Sequence, residues 1–103
     1  MVFRVEITPR AQRDLDGIYA KAAREAPYAG PLWFARFEES ILSLAEFPER
    51  CPVEPRLSTS GRPVRKHLFG RRRHVYRVYF TIIADAVKVL HVRHGARKAP
   101  TSL

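Results

Sequence analysis

The residues best suited to chemistry lie in the last third of the chain, around two strongly apolar stretches. Arg71, Arg72 and Arg73 precede the first stretch, and His94 and Arg97 follow the second. Guanidinium groups bind phosphates and carboxylates, and imidazole changes its protonation near neutral pH. These five residues therefore predict a surface that binds an anionic target or stabilises a phosphate during its cleavage.

Other reactive residue types are present but less well placed. His74 and His91 fall within predicted strands, where a histidine that is simply hydrogen-bonded is the more common case. Cys51 has no base near it in the sequence, so we interpret it as structural or incidental. The four histidines and one cysteine lack metal-ligand spacing, and we expect no metal and no other cofactor.

The distribution of charge points to an anionic partner. The formal net charge is +9. Up to Pro55 there are seven Lys and Arg residues and nine Asp and Glu residues, a balance of −2. Beyond it twelve Lys and Arg residues accompany Asp85 alone, a balance of +11. A solvated surface needs no such segregation, so we favour a basic face that binds nucleic acid or an acidic protein.

We expect a cytoplasmic protein without membrane contact. The N-terminus reaches a charge at Arg4 with no apolar run behind it, and no stretch has the ~18 apolar residues of a membrane span. A single cysteine forms no disulfide within the chain, which is typical of a reducing compartment.

The arginines and histidines must be positioned by strands. Alternating, β-branched and aromatic residues predict strands over residues 73–83 and 87–92, joined by a tight turn at Ala84-Asp85. A further strand is predicted over residues 64–69 and ends at Gly70. Cations at both ends of such a hairpin would stand on a rigid platform.

The first half of the chain predicts a strand followed by two helices. Residues 2–7 alternate, and Thr8-Pro9 supplies an N-cap and a first helical residue. This helix stops before Pro27, and a second apolar stripe runs from Pro31 to Pro48.

A short connector makes the two predicted helices antiparallel neighbours. A close approach between them would explain Gly17, which otherwise weakens the first helix. The predicted order is β-α-α-β-β-β: an α+β fold in which a helical hairpin packs on a small, mostly antiparallel sheet. We expect one domain over residues 1–103, with a frayed tail at 98–103.

Five segments in this order carry a resemblance over nearly the whole chain. They are Thr8-Pro9-Arg10-Ala11, Phe47-Pro48, Gly61-Arg62-Pro63-Val64-Arg65, Arg73-His74-Val75-Tyr76-Arg77-Val78 and Val89-Leu90-His91-Val92-Arg93-His94-Gly95-Ala96-Arg97. Together they resemble the RelE/ParE superfamily of toxins from type II toxin–antitoxin modules, and more closely its ParE branch. The resemblance implies the α+β fold described above and an antitoxin that wraps the toxin.

The resemblance implies one of two activities. RelE-like members cleave messenger RNA in the ribosomal A site without a metal, using Lys and Arg residues and a Tyr after the last strand. ParE-like members lack that set and poison DNA gyrase. Arg73 matches the family arginine that opens the penultimate strand, and Arg97 matches the one beyond the final strand. Lys66 and His67 lie roughly where the ribonucleases place basic residues.

The sequence departs from the ribonucleases after Arg97, where Lys-Ala-Pro-Thr-Ser-Leu contains no Tyr. We therefore expect a ParE-like, non-enzymatic inhibitor of DNA gyrase from a plasmid-stabilising type of module, neutralised by a ParD-like antitoxin. The alternative is a RelE-like, ribosome-dependent mRNA endoribonuclease that uses Arg73, Arg97 and His94. A third and weaker hypothesis is a plain nucleic-acid-binding module, which the charge alone supports.

Overall fold

The computed structural model of the protein describes residues 2–58 and 61–95. The first strand, β1, spans Arg4–Ile7, two residues shorter than predicted, because Val2 forms only an isolated bridge to Glu46. Phe3 lies just before the strand and is 8% exposed, so it anchors this end of the chain in the core.

Two helices follow β1. Helix α1 spans Pro9–Glu25, and the hydroxyl of Thr8 accepts a hydrogen bond from the backbone N–H of Ala11, as the predicted N-cap requires. Helix α2 spans Ala29–Leu42 and so ends earlier than the predicted limit at Pro48. The chain tightens there into a 3₁₀ turn at Ser43–Ala45, where the Ser43 hydroxyl donates to the carbonyl of Ser40.

The sheet has four strands in the order β1-β4-β3-β2. Strand β2 spans Val64–Phe69, β3 spans Tyr76–Ile83 and β4 spans Ala86–His94. Strand β1 pairs with β4 in parallel and the other pairs are antiparallel. The predicted α+β fold of order β-α-α-β-β-β is therefore confirmed.

The start of β3 differs from the prediction. Arg73 and His74 do not belong to the strand, because Arg72–His74 form a 3₁₀ turn. Backbone angles explain the change: Gly70 has φ 108° and Arg72 has φ 53°, so the chain turns twice before it extends. Strand β4 runs past both predicted ends, whereas the turn at Ala84-Asp85 lies where it was expected.

Helix α2 contributes large aromatic side chains to the core. Phe37 stacks on Phe69 of β2, with ring centroids 4.9 Å apart, and contacts Tyr76 of β3. Phe34 packs edge-on against Phe37, and Trp33 contacts both strands. We call Trp33, Phe34, Phe37, Phe69 and Tyr76 the aromatic cluster.

The close approach of the helices occurs at Gly30, and the prediction that placed it at Gly17 is wrong. A Cβ on Gly30 would lie 2.1 Å from the carbonyl oxygen of Ala22, whereas a Cβ on Gly17 would meet nothing within 4 Å. Over residues 2–58 and 61–95, neither helix is long and apolar enough to cross a membrane.

Candidate functional site

A line of polar groups joins α1 to β4. The carboxylate of Asp14 accepts a hydrogen bond from the backbone N–H of Val92 and lies 3.0 Å from Nδ1 of His91. Arg10 approaches the same ring from α1, and Arg93 approaches it from β4. We call Arg10, Asp14, His91, Val92 and Arg93 the polar seam. It forms where β1 has ended and the backbone of β4 needs another partner.

The contacts of His91 define its tautomer. Each ring nitrogen faces an arginine, which only donates: Nδ1 lies 3.0 Å from Nε of Arg10, and Nε2 lies 3.1 Å from Nε of Arg93. The carboxylate of Asp14 only accepts, and its position 3.0 Å from Nδ1 selects the tautomer in which Nε2 is the acceptor. The one hydrogen of the neutral ring then sits on Nδ1 and faces Asp14. Nδ1 cannot also accept from Arg10, whose Nε is 3.0 Å away, so Arg10 adds positive charge beside the ring.

Burial and the neighbouring arginines disfavour the charged form of His91. Its side chain is 4% exposed, and this burial lowers the pKa of His91 below its ordinary value. Asp14 opposes the change, whereas Arg10, Arg93 and Arg77 lower the pKa further. Arg77 lies directly opposite Arg93 in the β3–β4 register, so two like charges share one face of the sheet.

Two grooves adjoin the polar seam. The first, of about 590 Å³, lies between α1 and the end of β4, and its charged lining consists of Arg13, Asp14, Lys21 and Arg93. Gly17 also lines it, and the missing side chain leaves the space open. We call this cavity the basic groove.

The second groove, of about 500 Å³, lies beside the helical hairpin, and we call it the hairpin groove. Trp33 and Gly30 line it from α2, and Arg73 and His74 line it from the turn before β3. It shares Ile18, Lys21, Tyr76 and His94 with the basic groove.

The structure brings together only part of the predicted surface. Arg73 and His94 line the hairpin groove, and the ring of His94 lies 6.4 Å from that of His74. Arg71 and Arg72 are exposed beside them. Arg97 lies outside the described residues, as does the predicted tail at 98–103.

The histidines differ from expectation in one case. His91 is a buried, hydrogen-bonded strand residue, as predicted. His74 was predicted in a strand but is an exposed residue of the 3₁₀ turn, where its ring faces His94. His94 is the last residue of β4, and its ring meets that of Tyr76 edge-on at 4.9 Å.

Lys66 and His67 on β2 are engaged away from both grooves. Lys66 lies 3.5 Å from the carboxylate of Glu54. His67 places Nε2 2.7 Å from the hydroxyl of Ser40 and Nδ1 3.9 Å from the sulfur of Cys51. A base therefore does lie near Cys51, which the sequence did not predict. Burial nevertheless raises the pKa of the Cys51 thiol and lowers that of His67, which disfavours a reactive thiolate.

Sequence reasoning missed the residues of the polar seam and the basic groove. One signal was present in α1: Arg10, Asp14, Gly17 and Lys21 recur at spacings of three and four, beside the apolar stripe. Such a second stripe, with a glycine in its centre, indicates a face that contacts something other than solvent. Within the part of the chain that the structure describes, no three His, Cys, Asp or Glu side chains are grouped to hold a metal.

Comparisons with known proteins agree with this architecture. Residues 5–99 match the family model of the ParE toxin of type II toxin–antitoxin systems, parDE. A search of curated proteins gave no significant match.

Two solved structures share the fold. The first, described as the chromosomal ParDE TA system from P. aeruginosa, has 18% identity and a TM-score of 0.58, covering 90% of this chain and 96% of that one. The second is a doubly substituted mutant of the E. coli toxin RelE in the free state, with 14% identity and a TM-score of 0.59, covering 93% of this chain and 86% of that one. At such identities the likeness concerns the fold alone. The family match spans most of the chain, and the chain therefore belongs to the ParE toxin family of the RelE/ParE superfamily.

Proposed function

We propose that this ParE-family toxin inhibits DNA gyrase and is neutralised by a cognate antitoxin resembling ParD, within a plasmid-stabilising type of module. The observation that carries the proposal is the family match over residues 5–99. The toxin then works by binding its target and not by catalysis.

The proposed target-binding surface comprises Arg71, Arg72, Arg73, His94 and Arg97. Arg73 and His94 line the hairpin groove together, and the arginines before Arg73 are exposed next to it. Exposed arginines beside an apolar groove suit the contact of a charged partner surface, because they steer association and fix its orientation.

The direct test is a gyrase assay with purified toxin. The toxin is expected to inhibit supercoiling and to trap cleaved DNA on gyrase. The charge reversal Arg73→Glu is expected to weaken inhibition at least about tenfold, since it places a negative charge opposite an anionic partner surface. Arg36→Glu changes the net charge equally on the exposed face of α2 and should leave inhibition intact. Unaltered supercoiling at saturating wild-type toxin would refute the gyrase proposal.

An antitoxin partner is supported by the likeness to a ParDE structure and by the net charge of +9, which suits an acidic segment. Co-purification of the toxin with the product of a neighbouring gene, and loss of toxicity on co-expression, are the expected results. Toxicity that no acidic partner relieves would contradict this part of the proposal.

A RelE-like mRNA endoribonuclease is the second candidate, favoured by one observation. His74 and His94 lie side by side at the hairpin groove with Arg73 and Tyr76. Two imidazoles can act as base and acid, and a guanidinium can stabilise the phosphate in the transition state. Mapping mRNA ends after induced expression separates the candidates: codon-phased cuts that His94→Gln abolishes would establish the ribonuclease, and intact mRNA with altered supercoiling would exclude it.

A further inference from the structure

The charged lining of the basic groove is mostly positive within the described chain. Arg13 and Lys21 line it from α1, and Arg93 lines it from β4. Asp14 is the one acidic residue in the lining of this groove within the described chain. A folded core gains nothing from cations gathered around an open cavity, so the arrangement suits a ligand that brings negative charge.

The carboxylate of Asp14 does not make the groove a cation site. Its Oδ2 accepts the hydrogen bond from Val92 N–H and faces the Nδ1 hydrogen of His91, so its charge supports the polar seam. Lys21 lies 4.0 Å from Glu25, and both side chains are mostly exposed. Such a pair contributes little energy, and Lys21 can exchange this contact for a stronger anion at small cost.

Aromatic side chains lie next to the cations. Tyr76 and His94 line both grooves, and Trp33 lines the hairpin groove beyond them. Cations that follow a phosphate backbone beside rings on which bases stack are the combination by which proteins hold single-stranded nucleic acid. An acidic peptide would use the cations but would have no need of adjacent aromatic faces.

We propose that the basic groove binds the phosphodiester backbone of a single-stranded nucleic acid, with Arg13, Lys21 and Arg93 as phosphate contacts and Tyr76 and His94 as stacking faces. Gly17 is the residue that keeps the groove open, because any side chain there would project into unoccupied space. This site is a property of the isolated toxin and holds whether gyrase or the ribosome is its target.

The test measures binding of fluorescent single-stranded RNA, single-stranded DNA and duplex DNA of equal length to the full chain, each over a range of salt. Single strands are expected to bind, and three phosphate contacts give a slope of log K against log salt of about −2. Lys21→Glu and Arg13→Glu should each weaken binding at least about tenfold and reduce that slope. Comparison of RNA with DNA identifies the source of the phosphodiester.

Two matched pairs of variants distinguish binding in the basic groove from non-specific electrostatic attraction to the protein. Gly17→Leu places a bulky side chain in the groove without removing charge and should abolish binding, whereas Gly17→Ala adds one carbon into open space and should retain most of it. Arg36→Glu matches the charge change of Arg13→Glu outside the groove and should retain binding. Equal losses in Arg36→Glu and Arg13→Glu, or full binding by Gly17→Leu, would overturn the proposal. If a variant folds poorly, the wild-type protein can be titrated with RNA and followed by NMR. The amide signals of Gly17 and Val92 are expected to shift, and unshifted signals would overturn the proposal.

Discussion

The two helices attach to the same sheet by different chemistry. Helix α2 packs through the aromatic cluster, in which Phe37 is fully buried between Phe34 and Phe69. Helix α1 buries Ala11 and Leu15 but adds the polar seam, in which Asp14 meets the backbone and a histidine of β4. One attachment depends on apolar area and the other on the directions of hydrogen bonds.

This difference between the two attachments shows that α2 contributes mainly to stability, whereas α1 leaves space for binding. The stabilisation from burying apolar side chains is proportional to the buried area and does not depend on direction, so the aromatic rings can pack closely without cavities. A seam of charged groups needs fixed geometry and leaves unfilled space beside it. Both grooves open next to α1, and the charges that line the basic groove continue from the seam.

The comparison predicts that the largest loss of stability comes from the α2 side. Phe37→Ala should lower the free energy of unfolding by about 3–5 kcal/mol, because it removes a buried ring and leaves a cavity among four aromatic neighbours. Phe47→Ala is the matched control, since this ring is 68% exposed, and it should change the free energy by less than about 0.5 kcal/mol. Urea denaturation of both variants measures the contrast; similar losses would mean that the cluster is not the main support.

The glycines of the two helices give opposite predictions. Gly30→Ala should destabilise the fold by about 1–3 kcal/mol, because the new Cβ would clash with the backbone of α1 at Ala22. Gly17→Ala should stabilise it by about 0.5–1 kcal/mol, since alanine is the better helix former and the space is open. Thermal melts of the two variants decide this; a loss of stability in Gly17→Ala would show that the groove is not open in solution.

Sequence patterns predicted the secondary structure better than the contacts between its elements. Thr8-Pro9 and the strand over residues 64–69 follow local rules of capping and periodicity, and the structure agrees with both. The stripe through Phe37 also forms a helix, but α2 ends at Leu42, before the predicted limit at Pro48. Local rules failed at Arg73 and His74, because β-branched and aromatic neighbours predict a strand while two positive φ angles upstream turn the chain.

The polar seam could not be read from the sequence because its members are distant in the chain. Asp14 and Val92 meet because β1 is too short to pair with all of β4. The relative lengths of two paired strands are a property of the assembled sheet. Periodicity in α1 placed Asp14 and Gly17 on one face, but the partner of that face belongs to the tertiary structure. The predicted contribution of Arg97 stays a prediction.

The α1 attachment should depend on one carboxylate. Asp14→Ala removes the acceptor of the Val92 N–H and the partner of His91, and should cost about 1–3 kcal/mol, the penalty for burying unsatisfied donors. Asp16→Ala removes a carboxylate two residues away on the exposed face, where it accepts from the exposed Gln12, and should cost less than about 0.5 kcal/mol. Equal stabilities in chemical denaturation would mean that α1 is held by its apolar residues alone.

The smallest expected effect is a dependence of stability on pH, and it involves a histidine at each of the two helix attachments. Burial lowers the pKa of His67 beside α2 and of His91 beside α1, both from an ordinary value of 6.5. Below about pH 6.5 the unfolded chain therefore takes up protons that the folded chain refuses. Stability should be constant with respect to these groups above that pH and should fall as the pH drops below it. His67→Gln and His91→Gln should each flatten the decline in the unfolding midpoint.

The two histidines differ in what surrounds them, and this sharpens the comparison further. Asp14 raises the pKa of His91 against the effect of burial, whereas burial and then Arg50 lower the pKa of His67. Asp14→Asn should therefore lower the pKa of His91 further and leave that of His67 unchanged, as followed by NMR titration of the two imidazole rings. Parallel movement of both pKa values would mean that the substitution loosens the whole fold. An unchanged pKa of His91 would mean that Asp14 interacts with the backbone of Val92 alone. The polar seam would then hold α1 through one hydrogen bond, with no contribution from the charge of Asp14 on His91.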